Sequence, residues 1–217
     1  MKDVGEIILM KIYKYGNPES NIVLIEPVGA HNLNEIPNQV ERIETNTKKE
    51  IQMLAIKVDN WNQELSPWKA PAVFGEEAFG DGALNLLTEI LKLCSDKNKK
   101  YYLGGYSLAG LFSLWACCQS DKFAGIAAAS PSVWFPDFLT YMEENEIKSP
   151  CIYLSLGDRE EKTKNAILST VGDNIRKLEK IIRERKVNCI LEWNQGNHFK
   201  DAGERTAKAF SWVIINQ

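Results

Sequence analysis

The chain has 217 residues, of which 44% are hydrophobic and 25% are charged, and its net charge at pH 7 is −3. This composition is typical of globular proteins and excludes a disordered or fibrous chain as the main state. The nearly balanced charge gives no indication of nucleic-acid or membrane-surface binding. No apolar run in the sequence approaches the roughly 20 residues that span a bilayer.

The N-terminal segment and the cysteines indicate the cellular compartment of the protein. Residues 7–10 form a short apolar stretch that lacks the long apolar core and the cleavage site of a secretory signal peptide. The chain has five cysteines, without a C-x-x-C pair or a cysteine–histidine cluster, so we expect neither a disulfide framework nor a metal site. We therefore expect a cytoplasmic protein with buried free thiols.

Short β-rich apolar runs alternate with longer amphipathic stretches along the chain. The predicted strands are residues 5–15 (one bent strand or a hairpin), 22–26, 51–58, 101–105, 123–128, 152–156 and 189–193. The predicted helices are residues 34–48, 81–96, 108–120, 137–145, 163–185 and 202–215. This alternation predicts an α/β fold, with a mainly parallel sheet and helices on both faces. No linker or repeat interrupts it, so we expect a single domain over residues 1–217.

Two stretches do not fit this alternation of strands and helices. Residues 59–80 contain Trp61 and Trp68, and residues 130–136 read SPSVWFP and contain Trp134. Both follow predicted strands, and ligands in open α/β sheets bind beyond the carboxyl ends of strands. We interpret the two stretches as pocket walls with these three tryptophans as candidate substrate contacts. The alternative is a pair of packed surface loops with buried aromatic side chains.

The segment YYLGGYSLAG, residues 101–110, has the features of a nucleophile elbow. It places Ser107 on the turn between a predicted strand and a predicted helix. The tight turn requires small residues two before and two after the serine, and Gly105 and Ala109 meet this requirement. The backbone N–H of Leu108 would then face the position where an oxyanion forms.

A serine nucleophile requires a base, and the chain has only two histidines, His31 and His198. In α/β hydrolases the order along the chain is serine, acid, histidine, and only His198 lies downstream of Ser107. A second oxyanion donor is expected from the loop PVGAH, residues 27–31, where Gly29 allows the closest approach. His31 is a candidate substrate contact, with a solvated loop residue as the alternative.

The base requires a carboxylate that orients it. Asp158 directly follows the apolar run CIYLSLG and is our preferred candidate. Asp137 is better interpreted as the cap of the next helix. Glu160 and Glu161 lie close enough to Asp158 to stay open as alternatives.

Taken in order, GYSLAG, LGD and GNHF resemble the motifs of the α/β-hydrolase superfamily and, within it, the small esterases of the esterase D type. The resemblance implies a serine esterase with Ser107 as nucleophile, Asp158 as acid and His198 as base, acting on a small-molecule ester without a metal or organic cofactor. Ala109 departs from the commoner glycine at that position, and PVGAH departs from the commoner HG-type oxyanion loop.

Three hypotheses for the function stay open. The first is a carboxylic-ester hydrolase that forms an acyl-enzyme, and the second is a thioesterase or amide or peptide hydrolase with the same triad. The third is a hydrolase fold kept as a non-catalytic binding module. A cysteine enzyme is disfavoured because no cysteine stands on an elbow. The interval between the strands ending at 128 and beginning at 152 has room for one short helix, so we expect no large lid.

Overall fold

The computed structural model describes residues 10–73 and 75–217, and its seven strands form one sheet. The strands are β1 Lys11–Gly16, β2 Ile22–Val28, β3 Gln52–Lys57, β4 Lys100–Tyr106, β5 Phe123–Ala129, β6 Cys151–Gly157 and β7 Asn188–Asn194. The helices are α1 Ile36–Thr47, α2 Trp61–Glu64, α3 Ala83–Leu93, α4 Leu108–Gln119, α5 Phe138–Glu144, α6 Val171–Glu184 and α7 Ala202–Asn216. Each predicted strand and helix has a counterpart among these elements, which confirms the α/β prediction.

The boundaries agree with the prediction to within three residues except at the starts of the first strand and of helix α6. The first strand is seen from Lys11, and the predicted residues 5–9 lie outside the described residues. Helix α6 begins at Val171 rather than at residue 163. The side chain of Asn165 accepts the N–H groups of Ile167 and Leu168 at 3.0 and 3.1 Å. These bonds hold the preceding residues in turns, so the helix starts later than its apolar periodicity indicates.

The strand order β1-β3-β2-β4-β5-β6-β7 determines where a ligand can bind. Strand β1 pairs antiparallel with β3, and the other neighbouring pairs are parallel. The order reverses at β2, because β3 lies on one side of it and β4 on the other. A crevice forms outside the carboxyl ends of the strands at such a switch point.

Helices cover both faces of the sheet, which explains why its strands read as nearly continuous apolar runs. Helices α1 and α7 pack on one face, around Ile43 and Phe210. Helices α3, α4, α5 and α6 pack on the other face, around Phe112. The result is a rigid base beneath the carboxyl ends of the strands. No helix in the described part of the chain is long and apolar enough to cross a membrane.

The described residues of the two irregular stretches, 59–80 and 130–136, form no lid domain. Residues 59–80 contain the four-residue helix α2 and one antiparallel bridge between Ala70 and Phe79. The connection from β5 to β6 carries α5, a helix of seven residues, as expected. Asp137 takes the N-cap position of α5 but makes no capping hydrogen bond with its side chain. All five cysteines are free and buried.

Candidate active site

Ser107 occupies a strained turn between β4 and α4, with φ 59° and ψ −120°. L-residues adopt this region rarely, and they do so only where the surroundings determine it. A Cβ added at Gly105 would lie 2.6 Å from the Cβ of Ala109, so the turn closes only with small residues at both positions. The N–H of Ser107 donates to the carbonyl of Ala129 at 3.1 Å, which ties the turn to the end of β5.

His198 lies in the loop between β7 and α7 and meets Ser107. Its Nε2 is 3.0 Å from Ser107 Oγ. The hydroxyl of Tyr106 donates to the backbone carbonyl of His198 at 2.8 Å, which links the histidine loop to the residue before the serine. The structure thus brings together the serine and the histidine that the sequence singles out.

The carboxylate in contact with His198 is that of Glu160. Its Oε2 lies 2.6 Å from His198 Nδ1, and Glu160 is 9% exposed. Asp158, the predicted acid, is exposed, and its Oδ1 accepts the N–H of Gly196 at 2.8 Å instead. The structure corrects the sequence prediction here, because Glu160 takes the place beside His198 that was expected for Asp158.

The turn after β6 explains this difference. The N–H of Glu160 donates to the carbonyl of Gly157 at 3.0 Å, so residues 157–160 reverse the chain. The fourth residue of the turn then faces back over the edge of the sheet, and Gly157 N–H donates to Glu160 Oε1 at 2.7 Å. Asp158, the second residue, points toward the neighbouring loop. No local signal in the sequence distinguishes Glu160 from Asp158, because the orientation of the turn depends on partners from other segments.

Glu160 is fully engaged by polar partners. Its Oε1 also accepts hydrogen bonds from Ser130 Oγ at 2.8 Å and from Arg205 Nη1 at 3.0 Å. Burial raises the pKa of Glu160, but the hydrogen bond and charge of His198 and the bonds from Gly157 and Ser130 bring the pKa below its ordinary value. The group is therefore a carboxylate at neutral pH, which is the form that can orient an imidazole and stabilise an imidazolium.

A second serine touches the first, and sequence reasoning did not find it. Ser132 is buried, and its Oγ lies 3.2 Å from Ser107 Oγ. Its N–H donates to the carbonyl of Ser107 at 3.1 Å. Ser132 therefore helps to hold the strained turn from the segment that follows β5.

The two predicted oxyanion donors, the N–H groups of Leu108 and Gly29, follow the ends of neighbouring strands. Leu108 is the first residue of α4, and the first N–H groups of a helix have no acceptor within the helix. Strand β2 pairs parallel with β4, with Ile25 opposite Leu103. Gly29 directly follows the carboxyl end of β2, and its role as the second oxyanion donor stays a prediction. The exposed ring of His31 packs against Gly29, since a Cβ there would lie 2.8 Å from His31 Cε1.

No protein-family model and no curated protein sequence matches the chain. The structure is similar to siderophore hydrolase EstA from Aspergillus nidulans, with a TM-score of 0.67 and 17% identity over 96% of this chain and 95% of that one. It is also similar to an IroE-like serine hydrolase from Shewanella oneidensis, with a TM-score of 0.76 and 13% identity over 94% and 75% of the two chains. A third similar structure is Est1E from Butyrivibrio proteoclasticus, with a TM-score of 0.62 and 11% identity over 95% and 93%. The chain has the α/β-hydrolase fold. This confirms the fold that the sequence resemblance implied.

In this α/β-hydrolase fold, the two irregular stretches pack against each other at the carboxyl edge of the sheet. The indole N–H of Trp68 donates to the carbonyl of Pro136 at 3.1 Å, and its ring meets Phe135 with the ring centres 5.7 Å apart. Trp134 meets Phe79 at 5.9 Å. Trp61 lies in α2, half-buried against the same core. The two stretches are therefore in contact with each other, and contact of Trp61, Trp68 and Trp134 with substrate stays a prediction.

Proposed function

We propose that the protein is a serine hydrolase that cleaves small-molecule carboxylic esters through an acyl-enzyme on Ser107. The proposal rests on one observation. Ser107 Oγ lies 3.0 Å from His198 Nε2, and His198 Nδ1 lies 2.6 Å from Glu160 Oε2. This is a nucleophile, a base and an orienting carboxylate in hydrogen-bonding sequence, which is the arrangement that activates a hydroxyl. The hydrolase and esterase names of the similar structures support the same conclusion.

Acylation follows from the positions of these atoms. Glu160 accepts the Nδ1–H of His198, so that Nε2 has a free lone pair toward Ser107. Ser107 Oγ attacks the ester carbonyl carbon while Nε2 takes its proton. The negative charge that develops on the carbonyl oxygen is stabilised by the N–H of Leu108 and by an N–H near Gly29.

The leaving alcohol and the second half of the reaction use the same groups. The imidazolium of His198 returns its proton to the alcohol oxygen as the carbon–oxygen bond breaks, which leaves the acyl group on Ser107. Water then gives a proton to Nε2 and attacks the acyl carbon. As the second tetrahedral intermediate collapses, the bond from the acyl carbon to Ser107 Oγ breaks, His198 returns the proton to Oγ, and the acid is released.

Intact-mass measurement after treatment with a fluorophosphonate tests the proposal. The wild type should gain one adduct, and Ser107→Ala should gain none. His198→Ala should label more slowly by orders of magnitude, because the hydroxyl loses its base. The matched control is Ser95→Ala, which removes an exposed hydroxyl and should label like the wild type. A folded wild type that takes up no adduct would contradict the proposal and favour a binding module.

Substrate classes can then be separated with matched compounds. An ester, a thioester and an amide with the same short acyl group should be hydrolysed in wild type and not in Ser107→Ala if each uses this site. We expect the ester to give the highest kcat/KM relative to its uncatalysed hydrolysis. A higher relative rate on the thioester would assign the same triad to a thioesterase.

A further inference from the structure

Arg205 is a buried cation in the first turn of α7, next to Glu160 of the proposed catalytic triad. It is 3% exposed. Its Nη1 lies 3.0 Å from Glu160 Oε1, 3.2 Å from Ser130 Oγ and 3.1 Å from Tyr106 Oη. Its Nη2 donates to the carbonyl of Gln195 at 3.2 Å. One guanidinium therefore touches four groups.

These four groups belong to the four segments that build the site. Tyr106 ends β4 immediately before the nucleophile, and Ser130 follows β5. Glu160 stands in the turn after β6, and Gln195 begins the loop after β7 that carries His198. The hydroxyl of Tyr106 continues the chain of bonds to the backbone carbonyl of His198.

Stability alone does not account for a cation in this place. Moving an ion into the interior costs several kcal/mol, and apolar residues of similar volume often stabilise a protein as well as a buried ion pair does. An apolar side chain could not hold several acceptors in a fixed plane, as the rigid fork of a guanidinium does. By engaging Oε1, Arg205 and Ser130 fix the rotation of the Glu160 carboxylate and leave Oε2 directed at His198.

We propose that Arg205 is a positioning residue that holds the Glu160 carboxylate and the His198 loop in register with Ser107. It also balances the negative charge of the Glu160 carboxylate. This inference rests on the proposed function, because it assigns a role within the same reaction.

The test measures the rate of fluorophosphonate labelling of Ser107 across a pH series in wild type, Arg205→Met and Arg205→Lys. We expect Arg205→Met to label about 10 to 100 times more slowly, the usual effect of losing an outer partner of a reactive group. We also expect the acid limb of its rate profile to move to higher pH. Whichever member of the His198–Glu160 pair takes the proton, the pair takes it more readily without the neighbouring cation.

Arg205→Lys separates charge from geometry. Lysine keeps the positive charge, but a single ammonium cannot reach all four acceptors. Its acid limb should stay at the wild-type position while its labelling rate is reduced. The matched control is Arg42→Met, which removes a surface arginine paired with Glu204 of α7 at 2.6 Å, and it should leave both the rate and the limb unchanged.

The outcomes distinguish this inference from the proposed function. Wild-type rate and an unmoved acid limb in folded Arg205→Met would overturn the role of Arg205 while the serine hydrolase stands. If Arg205→Met does not fold, Arg205→Lys decides, and a wild-type labelling rate in that variant would overturn the inference. A wild type that does not label contradicts the proposed function itself.

Discussion

The nucleophile elbow and the turn that carries Glu160 both follow a buried parallel strand, but different forces hold them in place. The elbow is shaped by sterics, because Gly105 and Ala109 are in contact and Ser107 is strained between them. The acid turn is shaped by hydrogen bonds that reach Glu160 from Gly157, from the end of β5 and from α7. The geometry of the elbow is therefore determined by five consecutive residues, 105–109. The geometry of the turn that carries Glu160 is determined by residues from several segments along the edge of the sheet.

The two carboxylates of the acid turn give the largest expected contrast. Glu160→Gln should lower kcat/KM for ester hydrolysis by about 10³- to 10⁴-fold, since a neutral amide can hold the imidazole in the wrong tautomer and cannot stabilise the imidazolium. Asp158→Asn should stay within about threefold of wild type, because the amide oxygen can still accept the N–H of Gly196. Both are measured as steady-state hydrolysis of one ester. The reverse ranking would return the acid role to Asp158.

A third carboxyl, Glu26 in β2, sharpens the comparison because it is buried with far fewer polar partners than Glu160. It is 4% exposed, and its Oε2 has no hydrogen-bond partner among the described residues. Burial raises the pKa of Glu26 to about 8. The hydrogen bond with Gln39 lowers the pKa in part, and the charge of Glu35 raises it further. The folded state therefore binds this proton more tightly than the unfolded state. The associated stability is fully present below about pH 4.5 and is lost as the pH rises through about 8.

Urea unfolding at a series of pH values measures this loss. Between pH 5 and pH 9 the free energy of unfolding of wild type should fall by roughly 3–5 kcal/mol more than that of Glu26→Gln. Glu160 has the opposite sign, because its pKa is lowered, and its contribution is lost only as the pH falls below about 4.5. The control is Glu41→Gln on α1, an exposed carboxylate whose removal should leave the wild-type slope. Equal slopes in wild type and Glu26→Gln would show that Glu26 is ionised in the folded protein.

The difference between the two turns also explains what the sequence could predict. Apolar periodicity predicts the strands and helices, and the local pattern around Ser107 predicts the elbow. The order of motifs along the chain then singles out His198. Glu160 and Arg205 could not be read in the same way, because a glutamate in a turn and an arginine at a helix start are usually solvated. Only the packing of β5, β6 and α7 buries them together.

The glycines of the two turns give the next contrast. A Cβ at Gly105 would meet the Cβ of Ala109 at 2.6 Å, whereas a Cβ at Gly157 would overlap the carbonyl oxygen of Gly196. Overpacking of this kind costs about 1–3 kcal/mol, so both Gly105→Ala and Gly157→Ala should lower the urea midpoint. Adding Ala109→Gly should recover most of the loss in Gly105→Ala, because that clash is between two methyl groups.

No single truncation relieves the clash at Gly157, since the opposing atom belongs to the backbone of the histidine loop. Gly157→Ala should therefore also slow fluorophosphonate labelling, as the loop that carries His198 is displaced. Labelling at the wild-type rate in a folded, destabilised Gly157→Ala would mean that the loop position is not coupled to the reactivity of Ser107.

The smallest expected effect comes from a substitution in the two irregular stretches, residues 59–80 and 130–136. Trp68→Phe keeps an aromatic ring but loses the hydrogen bond to the carbonyl of Pro136, which is worth about 1 kcal/mol. The melting temperature should fall by about 2–4 °C. Labelling by a small fluorophosphonate should be unchanged, because no triad atom depends on that bond. If Trp68 also lines the substrate pocket, KM for an aromatic acyl ester should rise while KM for an acetyl ester stays constant. A KM at the wild-type value for both esters in Trp68→Phe would give the indole a structural role between the two segments and remove it from the candidate substrate contacts.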